Sequence, residues 1–129
     1  MQSYLEILEM DPLPFLTYLE QFKTDVSCAI EDAQAMQDAG NKLGVVANHY
    51  SFLTSLSSYA GVKKRQLSRD GRTMDYQDMV DKEEALERTM KAVDMQYRAL
   101  SKAITVHIEN NKELYMTDGY AGRPSDGRR

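Results

Sequence analysis

Apolar side chains recur along this chain at alternating steps of three and four residues, and this spacing constrains the fold more than any other feature. Such a repeat forms an apolar stripe along one side of an α-helix, where a neighbouring helix can cover it. No segment alternates apolar and polar residues as a half-buried strand would. The sequence therefore predicts an all-α protein, a long-helix hairpin or three-helix bundle with coiled-coil-like packing. Its 129 residues suffice for one core.

Proline, glycine and capping residues divide the chain into four predicted helices. Ser3 followed by Glu6 matches the capping box that opens a short helix. Asp11 and Pro12 fit the start of a first long helix, which we expect to end near Gly40. The predicted helices cover about residues 3–10, 12–38, 41–68 and 76–115.

These helices make up a predicted helical bundle domain over residues 1–118. The remaining segment, 119–129, is rich in glycine, polar and without a period. Such a composition cannot bury enough apolar surface to offset the loss of chain entropy, so we predict a disordered basic tail.

Apolar stripes run along all three long helices. The first has Phe15, Leu19, Phe22, Val26, Ala29, Ala33 and Met36. The second has one stripe of Leu43, Val46, Tyr50, Leu53, Ala60 and Leu67, and another of Val45, His49, Phe52, Leu56 and Tyr59. The third has Met79, Leu86, Met90, Val93, Tyr97, Leu100 and Ile104. Because a helix with two stripes is expected to touch two neighbours, the second helix also predicts a homo-oligomer.

Residues 43–62 carry no formal charge, and a segment of this length could span a bilayer. The segment contains an asparagine, a histidine, a threonine and four serines, which is too polar for an isolated membrane helix. We therefore expect it to be surrounded by neighbours in a bundle or an oligomer, with no role for a membrane.

The outer surface of the third long helix is predicted to carry acid and base pairs four residues apart. These are Asp78 with Lys82, Glu84 with Arg88, Glu87 with Lys91, and Asp94 with Arg98. Beyond Ile104 the apolar stripe would continue through His107 and Asn111. This polar end is either a site of assembly specificity or a frayed helix end, and both interpretations remain open.

No arrangement of catalytic residues is present, so we expect a protein that is not an enzyme and needs no cofactor. His49 and His107 have no His, Cys or carboxylate three or four residues away, so no metal site is predicted. Cys28 is the only cysteine, which suits a reducing compartment, and the acidic N-terminus lacks the features of a signal peptide. The simplest location is the cytoplasm.

Positive charge is concentrated in one segment of a chain whose net charge is −4. Residues 61–73 carry five bases and one acid, a net charge of +4, whereas residues 1–60 and 74–118 have net charges of −6 and −4. A local cluster of this kind favours an anionic partner such as single-stranded DNA. The alternative is a solvated helix end whose cations offset the helix dipole.

The candidate nucleic-acid-binding residues are Lys63, Lys64, Arg65, Arg69 and Arg72. The second helix is expected to end at Asp70 and Gly71, with the side chains at 65, 69 and 72 aligned on one face to follow phosphates. Tyr59 and Tyr76 flank this segment within reach of unpaired bases, or they pack in the helical stripes.

Three segments carry a resemblance to a known family: KKRQLSRDGR at 63–72, MDYQDMVDKEEAL at 74–86 and VDMQYRAL at 93–100. With a basic helix end, a glycine-containing turn and a long acidic helix, the chain resembles the UvsY-like recombination mediators of T-even-type phages over about half its length. The resemblance implies a homo-oligomer that binds single-stranded DNA and helps to load a recombinase onto strands coated by single-strand binding protein. It assigns strand contact to Lys63, Lys64, Arg65 and Arg69.

The expected function is that of an accessory factor of recombination or replication, in the host cytoplasm if a phage encodes it. A different class of function is a structural or adaptor protein, such as a phage assembly or secretion-type helical hairpin, in which the basic turn is only a solvated helix end. A third is a regulator that binds a protein partner through the polar end around His107 and Asn111.

Overall fold

The computed structural model describes residues 3–23 and 30–112, and its helices form an all-α hairpin bundle, as predicted. The helices are α1 (Tyr4–Leu8), α2 (Pro12–Glu20), α3 (Ala33–Arg69) and α4 (Thr73–Asn110). α3 and α4 are the long arms of an antiparallel hairpin and form most of the contacts between helices. The short helices α1 and α2 lie against the half of the hairpin nearest its turn.

The predicted starts of the two N-terminal helices are confirmed. The Ser3 hydroxyl accepts a hydrogen bond from the Glu6 amide at 3.2 Å, and the Glu6 carboxylate accepts one from the Ser3 amide at 3.1 Å. This is the predicted capping box of α1. Asp11 and Pro12 occupy the expected first positions of α2, although the Asp11 side chain makes no capping hydrogen bond.

The predicted break between the first two long helices is in the wrong place. α2 ends at Glu20, and α3 begins at Ala33, where the Asp32 carboxylate accepts a hydrogen bond from the Ala35 amide at 2.8 Å. Gly40 therefore lies inside α3. A glycine within a helix lowers its stability by only about 1 kcal/mol relative to alanine, and packing against other helices easily offsets this. An aspartate at the N-cap, in contrast, stabilises the start of a helix.

The other expected boundaries fall partly outside the described residues. The third long helix, expected at 76–115, begins three residues earlier, at Thr73, and is described as far as Asn110. Residues 24–29, which contain part of the first predicted stripe, and residues 113–129, which contain the predicted tail, lie outside the described part of the chain.

The contact between α3 and α4 has a strict seven-residue repeat. In α3 the repeat consists of Ala39, Val46, Leu53, Ala60 and Leu67, and in α4 of Met79, Leu86, Val93, Leu100 and His107, all of them buried. Lys64 of α3 reaches Glu83 of α4 at 2.7 Å, an ion pair that crosses the antiparallel contact. The two helices therefore form a two-stranded antiparallel coiled-coil contact.

The middle of the second apolar stripe of α3 is covered by the N-terminal segment of the same chain, whereas Val45, at one end of the stripe, is 48% exposed. The Phe52 ring lies 5.6 Å from the Tyr4 ring and 5.5 Å from the Phe22 ring, and the His49 ring lies 5.2 Å from Phe22. The two neighbours that two stripes require are thus both intramolecular. This stripe therefore no longer supports the expectation of self-association.

Within one chain, neighbours cover only the inner side of the uncharged segment 43–62, so its enclosure in a bundle or an oligomer stays a prediction. Its inner positions are buried, but Ser51, Thr54, Ser55 and Ser58 are exposed on the outer surface of α3. The hydroxyl groups of these four side chains make this surface polar although it carries no charge. None of the described helices combines the length and the hydropathy that crossing a membrane requires.

The apolar stripe of α4 ends in the polar residues His107 and Asn111, and His107 still packs in the contact between α3 and α4. His107 is buried at the last position of the seven-residue repeat. Asn111 caps the helix, and its side-chain amide donates a hydrogen bond to the His107 carbonyl at 3.0 Å. His107 thus serves as a packing residue here, whatever further role this end of the helix has.

Lys82 was expected on the outer surface of the helix, and this expectation is wrong. Its predicted pair with Asp78 does form, at 2.8 Å, as does the pair of Asp94 with Arg98, at 3.0 Å. The Lys82 side chain is nevertheless only 5% exposed, because α1 and α2 cover it.

The Lys82 ammonium joins the N-terminal helices to α4. It donates hydrogen bonds to the Leu8 carbonyl at 2.7 Å and to the Met10 carbonyl at 2.5 Å, and it lies 5.6 Å from the centre of the Phe15 ring. Leu8 ends α1, so one of these acceptors is a carbonyl that the helix itself leaves unsatisfied. A single buried cation therefore holds the end of α1, the loop after it and the start of α2.

Replacing Lys82 by Met should lower the free energy of unfolding by about 2–4 kcal/mol, because two carbonyls and the Asp78 carboxylate lose their buried donor. Urea unfolding followed by circular dichroism measures this change. Lys102→Met, at an exposed position of the same helix, is the control and should change the free energy by less than about 0.5 kcal/mol. Equal effects of the two substitutions would contradict a structural role for Lys82.

Candidate nucleic-acid interface

The turn between α3 and α4 ends one helix and starts the next within three residues. α3 ends at Arg69, Asp70 occupies its C-cap, and Gly71 adopts a φ of 71°. This left-handed backbone conformation favours glycine, which has no Cβ. The Arg72 amide then donates a hydrogen bond to the Leu67 carbonyl at 3.0 Å, which closes the turn. The prediction that Asp70 and Gly71 end the helix is confirmed.

The turn gathers the candidate cations at one end of the hairpin, but they are not equivalent. Lys64 forms an ion pair with Glu83, and both side chains are partly exposed. The hydrogen bond and the charge of Glu83 raise the pKa of the Lys64 ammonium above its ordinary value. Lys64 is thus engaged across the hairpin.

The expected alignment of three guanidinium groups on one helix face does not occur. Arg72 lies past Gly71, at the N-cap of α4, so it does not share the helical face of Arg65 and Arg69. Its guanidinium is paired with the carboxylate of Asp75, in the first turn of α4. The chain turns at Gly71, which has a positive φ, so residues on either side of it do not belong to one helix. Residues three or four positions apart therefore no longer share a face there.

Lys63 lines a cleft that contains several acids. The cleft has a volume of about 380 Å³ and lies between the turn end of the hairpin and the segment that joins α1 to α2. The acids that line it are Glu9, Asp11, Asp75 and Asp78. Lys63 is half-buried, so this acidic surrounding weakens its availability to a phosphate.

Arg65 and Arg69 differ from the other three cations. Both are exposed, and they stand four residues apart, which places them on the same face of α3. Within residues 3–23 and 30–112, neither arginine forms an ion pair. These two guanidinium groups are therefore the best placed of the five to meet an external anion.

The two tyrosines near the turn both have packing roles. The Tyr59 ring lies 6.0 Å from the Tyr4 ring, on the side of α3 that the N-terminal helices cover. Tyr76 is half-buried against the core, and it lines a shallow cavity of about 110 Å³ beside Gly71 and Arg72. Tyr76 is thus the aromatic residue closer to the cations of the turn.

Sequence reasoning missed the acids that pair with the cations. Glu83 belongs to the predicted helix 76–115, and only the antiparallel packing of the hairpin brings it to Lys64. Asp75 lies just before the predicted start of that helix. A signal was available for Asp75, because an acid in the first turn of a helix commonly pairs with a base three residues earlier.

Other kinds of site are not found in the described part of the chain. No group of three or more His, Cys, Asp or Glu side chains in that part could hold a metal ion. Comparisons with models of known protein families, with curated proteins and with solved structures give no significant match. The geometry of the turn is therefore the main basis for a functional argument.

The Lys64 and Glu83 pair should make stability depend on pH in the alkaline range. Because the pKa of Lys64 is raised in the folded protein, the pair contributes stability that is fully present below the unfolded pKa of about 10.4 and is lost as pH rises through the folded pKa. The difference in unfolding free energy between the parent and Lys64→Gln should therefore be constant near neutral pH and shrink above about pH 10.4.

Urea unfolding at a series of pH values measures this difference. Glu83→Gln is the matched control, because removing either partner removes the same interaction, so the double variant should add little to either single change. A difference that grows with pH, or fully additive effects of the two substitutions, would contradict the pairing.

Proposed function

We propose that this protein is a non-enzymatic accessory factor of recombination or replication that binds single-stranded DNA through the turn between α3 and α4. Within this proposal it acts in the cytoplasm and helps to load a recombinase onto strands coated by single-strand binding protein. The resemblance at 63–72, 74–86 and 93–100 to UvsY-like mediators suggests the recombinase step. The chemistry of the turn supports the DNA step.

The observation that carries the proposal is the exposure of Arg65 and Arg69 at the basic end of an acidic protein. A guanidinium group can donate two parallel hydrogen bonds to a phosphate, and two such groups on one helix face suit successive phosphates of a strand. The acids elsewhere on the surface repel DNA, which restricts binding to this end.

The ion pairs of the turn refine the role of each candidate residue. Arg65 and Arg69 are proposed as the primary phosphate contacts. Lys64 and Arg72 are held by Glu83 and Asp75, so they contribute only when a phosphate displaces the carboxylate. Tyr76, beside Arg72, is proposed as the residue on which an unpaired base stacks.

A structural or adaptor function without nucleic acid is the second candidate. Its support is that two cations of the turn are already neutralised within the chain. Arg69 also lies in the last turn of α3, where a cation stabilises the negative end of the helix dipole. In this alternative, the basic turn only stabilises the hairpin.

Fluorescence anisotropy with labelled single-stranded DNA across a salt series separates the two candidates. Replacing Arg65 and Arg69 together by Gln should reduce affinity by about tenfold to a hundredfold near 50 mM salt. The slope of log affinity against log salt should become shallower by about 1.4, which corresponds to two lost phosphate contacts.

The matched control replaces two exposed cations of α4, Arg88 and Lys102, by Gln, which removes the same charge far from the turn. This variant should bind nearly as the parent does. Glu83→Gln should strengthen binding, because it releases Lys64. No binding by the parent, or equal losses in the two double variants, would refute a DNA site at the turn and favour the structural alternative.

A further inference from the structure

The outer surface of α3, on the side away from α4, is free of acids. α3 contains one acid, Asp38, and residues 39–69 contain none. α4 is only one residue longer and contains eight acids. The carboxylates that repel a nucleic acid strand elsewhere on the protein are therefore missing along about 45 Å of α3, at about 1.5 Å per residue.

A row of exposed side chains follows this surface at steps of three, four and seven residues. Each member stands two or five positions after a residue of the buried repeat of α3, which places the row opposite the contact with α4. Its polar members, all exposed, are Asn48, Ser51, Ser55, Ser58, Arg65 and Arg69. We call this set the polar row. Its last two members are the arginines proposed above as the primary phosphate contacts.

The uncharged members of the polar row have hydrogen-bonding groups available for a ligand. In the part of the chain that the structure describes, no hydrogen bond engages the side chains of these four residues. Thr54, outside the row, differs because its hydroxyl group donates a hydrogen bond to the Tyr50 carbonyl at 2.8 Å. Serine and asparagine side chains are common donors to the phosphate oxygens of nucleic acids.

Neither neighbouring element of the described chain covers the polar row. The N-terminal helices pack against the Phe52 side of α3, and α4 packs against the Leu53 side. One turn before Asn48, a Cβ atom added at Gly44 would meet no other atom. The polar row is therefore open to a ligand along its length.

The composition of the polar row favours a nucleic acid strand over a protein helix as its ligand. A helix that packs on another helix needs apolar side chains along the contact, as the buried repeat of α3 provides. Val62, between Ser58 and Arg65, is the only large apolar side chain in line with the row. A phosphate backbone instead requires hydrogen-bond donors without nearby carboxylates, and the row supplies both conditions.

Acids lie in the other directions in which a strand could leave the two arginines. Asp75 is in the first turn of α4, and Glu83 stands beside Lys64. Glu9 and Asp11 line the cleft on the side of the N-terminal helices. Along the polar row, in contrast, a strand continues from the arginines without meeting a negative charge.

We propose that a single strand of DNA runs along the polar row, from Arg69 at the turn to Asn48. Arg65 and Arg69 bind the first phosphates by charge, and the serines and Asn48 donate hydrogen bonds to the phosphates that follow. This inference rests on the proposed function and extends its site from the turn along α3. It also gives the uncharged segment 43–62 a role on its exposed side.

The length of the polar row sets the number of nucleotides that it binds. From Asn48 to Arg69 the helix rises about 32 Å. A stacked strand advances about 3.4 Å per nucleotide, so the row accommodates about nine stacked nucleotides, or about five if the spacing doubles in an extended strand. A strand of about four nucleotides bound at the arginines ends before Ser51, which lies about 27 Å from Arg69.

Fluorescence anisotropy with a labelled strand of about 10 nucleotides and nuclear magnetic resonance titration with one of about four test the track. Ser51→Glu places an acid on the polar row, much farther from Arg69 than the Debye length of about 10 Å at 0.1 M salt. Affinity for the longer strand should fall at least threefold. Affinity for the shorter strand should change less than twofold, because that strand does not reach residue 51.

The matched control is Met95→Glu. It adds the same charge at an exposed position of α4, about 33 Å from the start of that helix, and should leave both affinities nearly unchanged.

Ser51→Arg should have the opposite effect. Because it adds one cation to the polar row, affinity for the longer strand should rise, and the slope of log affinity against log salt should steepen by about 0.7. Met95→Arg should do neither. Far-UV circular dichroism verifies that each variant is folded, and sedimentation equilibrium compares its association state with that of the parent.

The hydrogen-bonding role has its own measurement. Replacing Asn48 and Ser55 together by Ala should lower affinity for the longer strand about threefold to tenfold and leave the salt slope unchanged, because neither side chain is charged. Thr105→Ala with Asn110→Ala, at exposed positions of α4, is the control and should bind as the parent does. A shallower slope, or no loss of affinity, would contradict hydrogen bonds from the row to the strand.

The outcomes separate this inference from the DNA site at the turn. Equal effects of the Ser51 and Met95 variants would overturn the polar row as a track. The turn would then stand alone as the site if replacing Arg65 and Arg69 by Gln still reduced binding. No binding by the parent would overturn both proposals. A changed association state of Ser51→Arg at unchanged DNA affinity would indicate a protein on this surface and would also overturn the track.

Discussion

The seven-residue repeat that joins α3 to α4 sets the relative position of the two long helices on which the rest of the structure is built. Ten buried side chains, five from each helix, face one another along the hairpin and set its register, and the Lys64 and Glu83 pair crosses between the helices beside them. That register sets which acids stand beside the basic turn. It also sets which apolar residues of the two long helices remain exposed. The candidate site is therefore a consequence of helix packing together with the turn at Gly71 that closes the hairpin.

The N-terminal helices depend on a different kind of interaction. Burying the Lys82 ammonium is costly unless every neighbour compensates for it, and here two carbonyls, a carboxylate and an aromatic ring do so. Such an arrangement fixes the position of a segment more narrowly than apolar contact alone. Together with the buried side chains of Ile7 and Leu8, it gives α1, with only five residues, a defined place on the hairpin.

The sequence predicted local features well and relations across the chain less well. The capping box at Ser3, the helix end at Gly71 and most of the buried repeat follow from residue type and spacing. The helix break near Gly40 was wrong because one glycine is a weak stop signal. The burial of Lys82 and the pairing of Lys64 depend on which helices become neighbours, and periodicity alone does not contain that information.

The order in which the parts of the fold can form follows from where their contacts lie in the sequence. The hairpin closes through a tight turn and can grow outward from it through contacts between residues that become neighbours one layer at a time. The hydrogen bond from Lys82 to Leu8 joins residues 74 positions apart, so docking of the N-terminal helices closes a much longer loop. We therefore expect α1 and α2 to dock last and to detach first, leaving an intact hairpin. Faster amide hydrogen exchange in α1 than in α4 would report this separation.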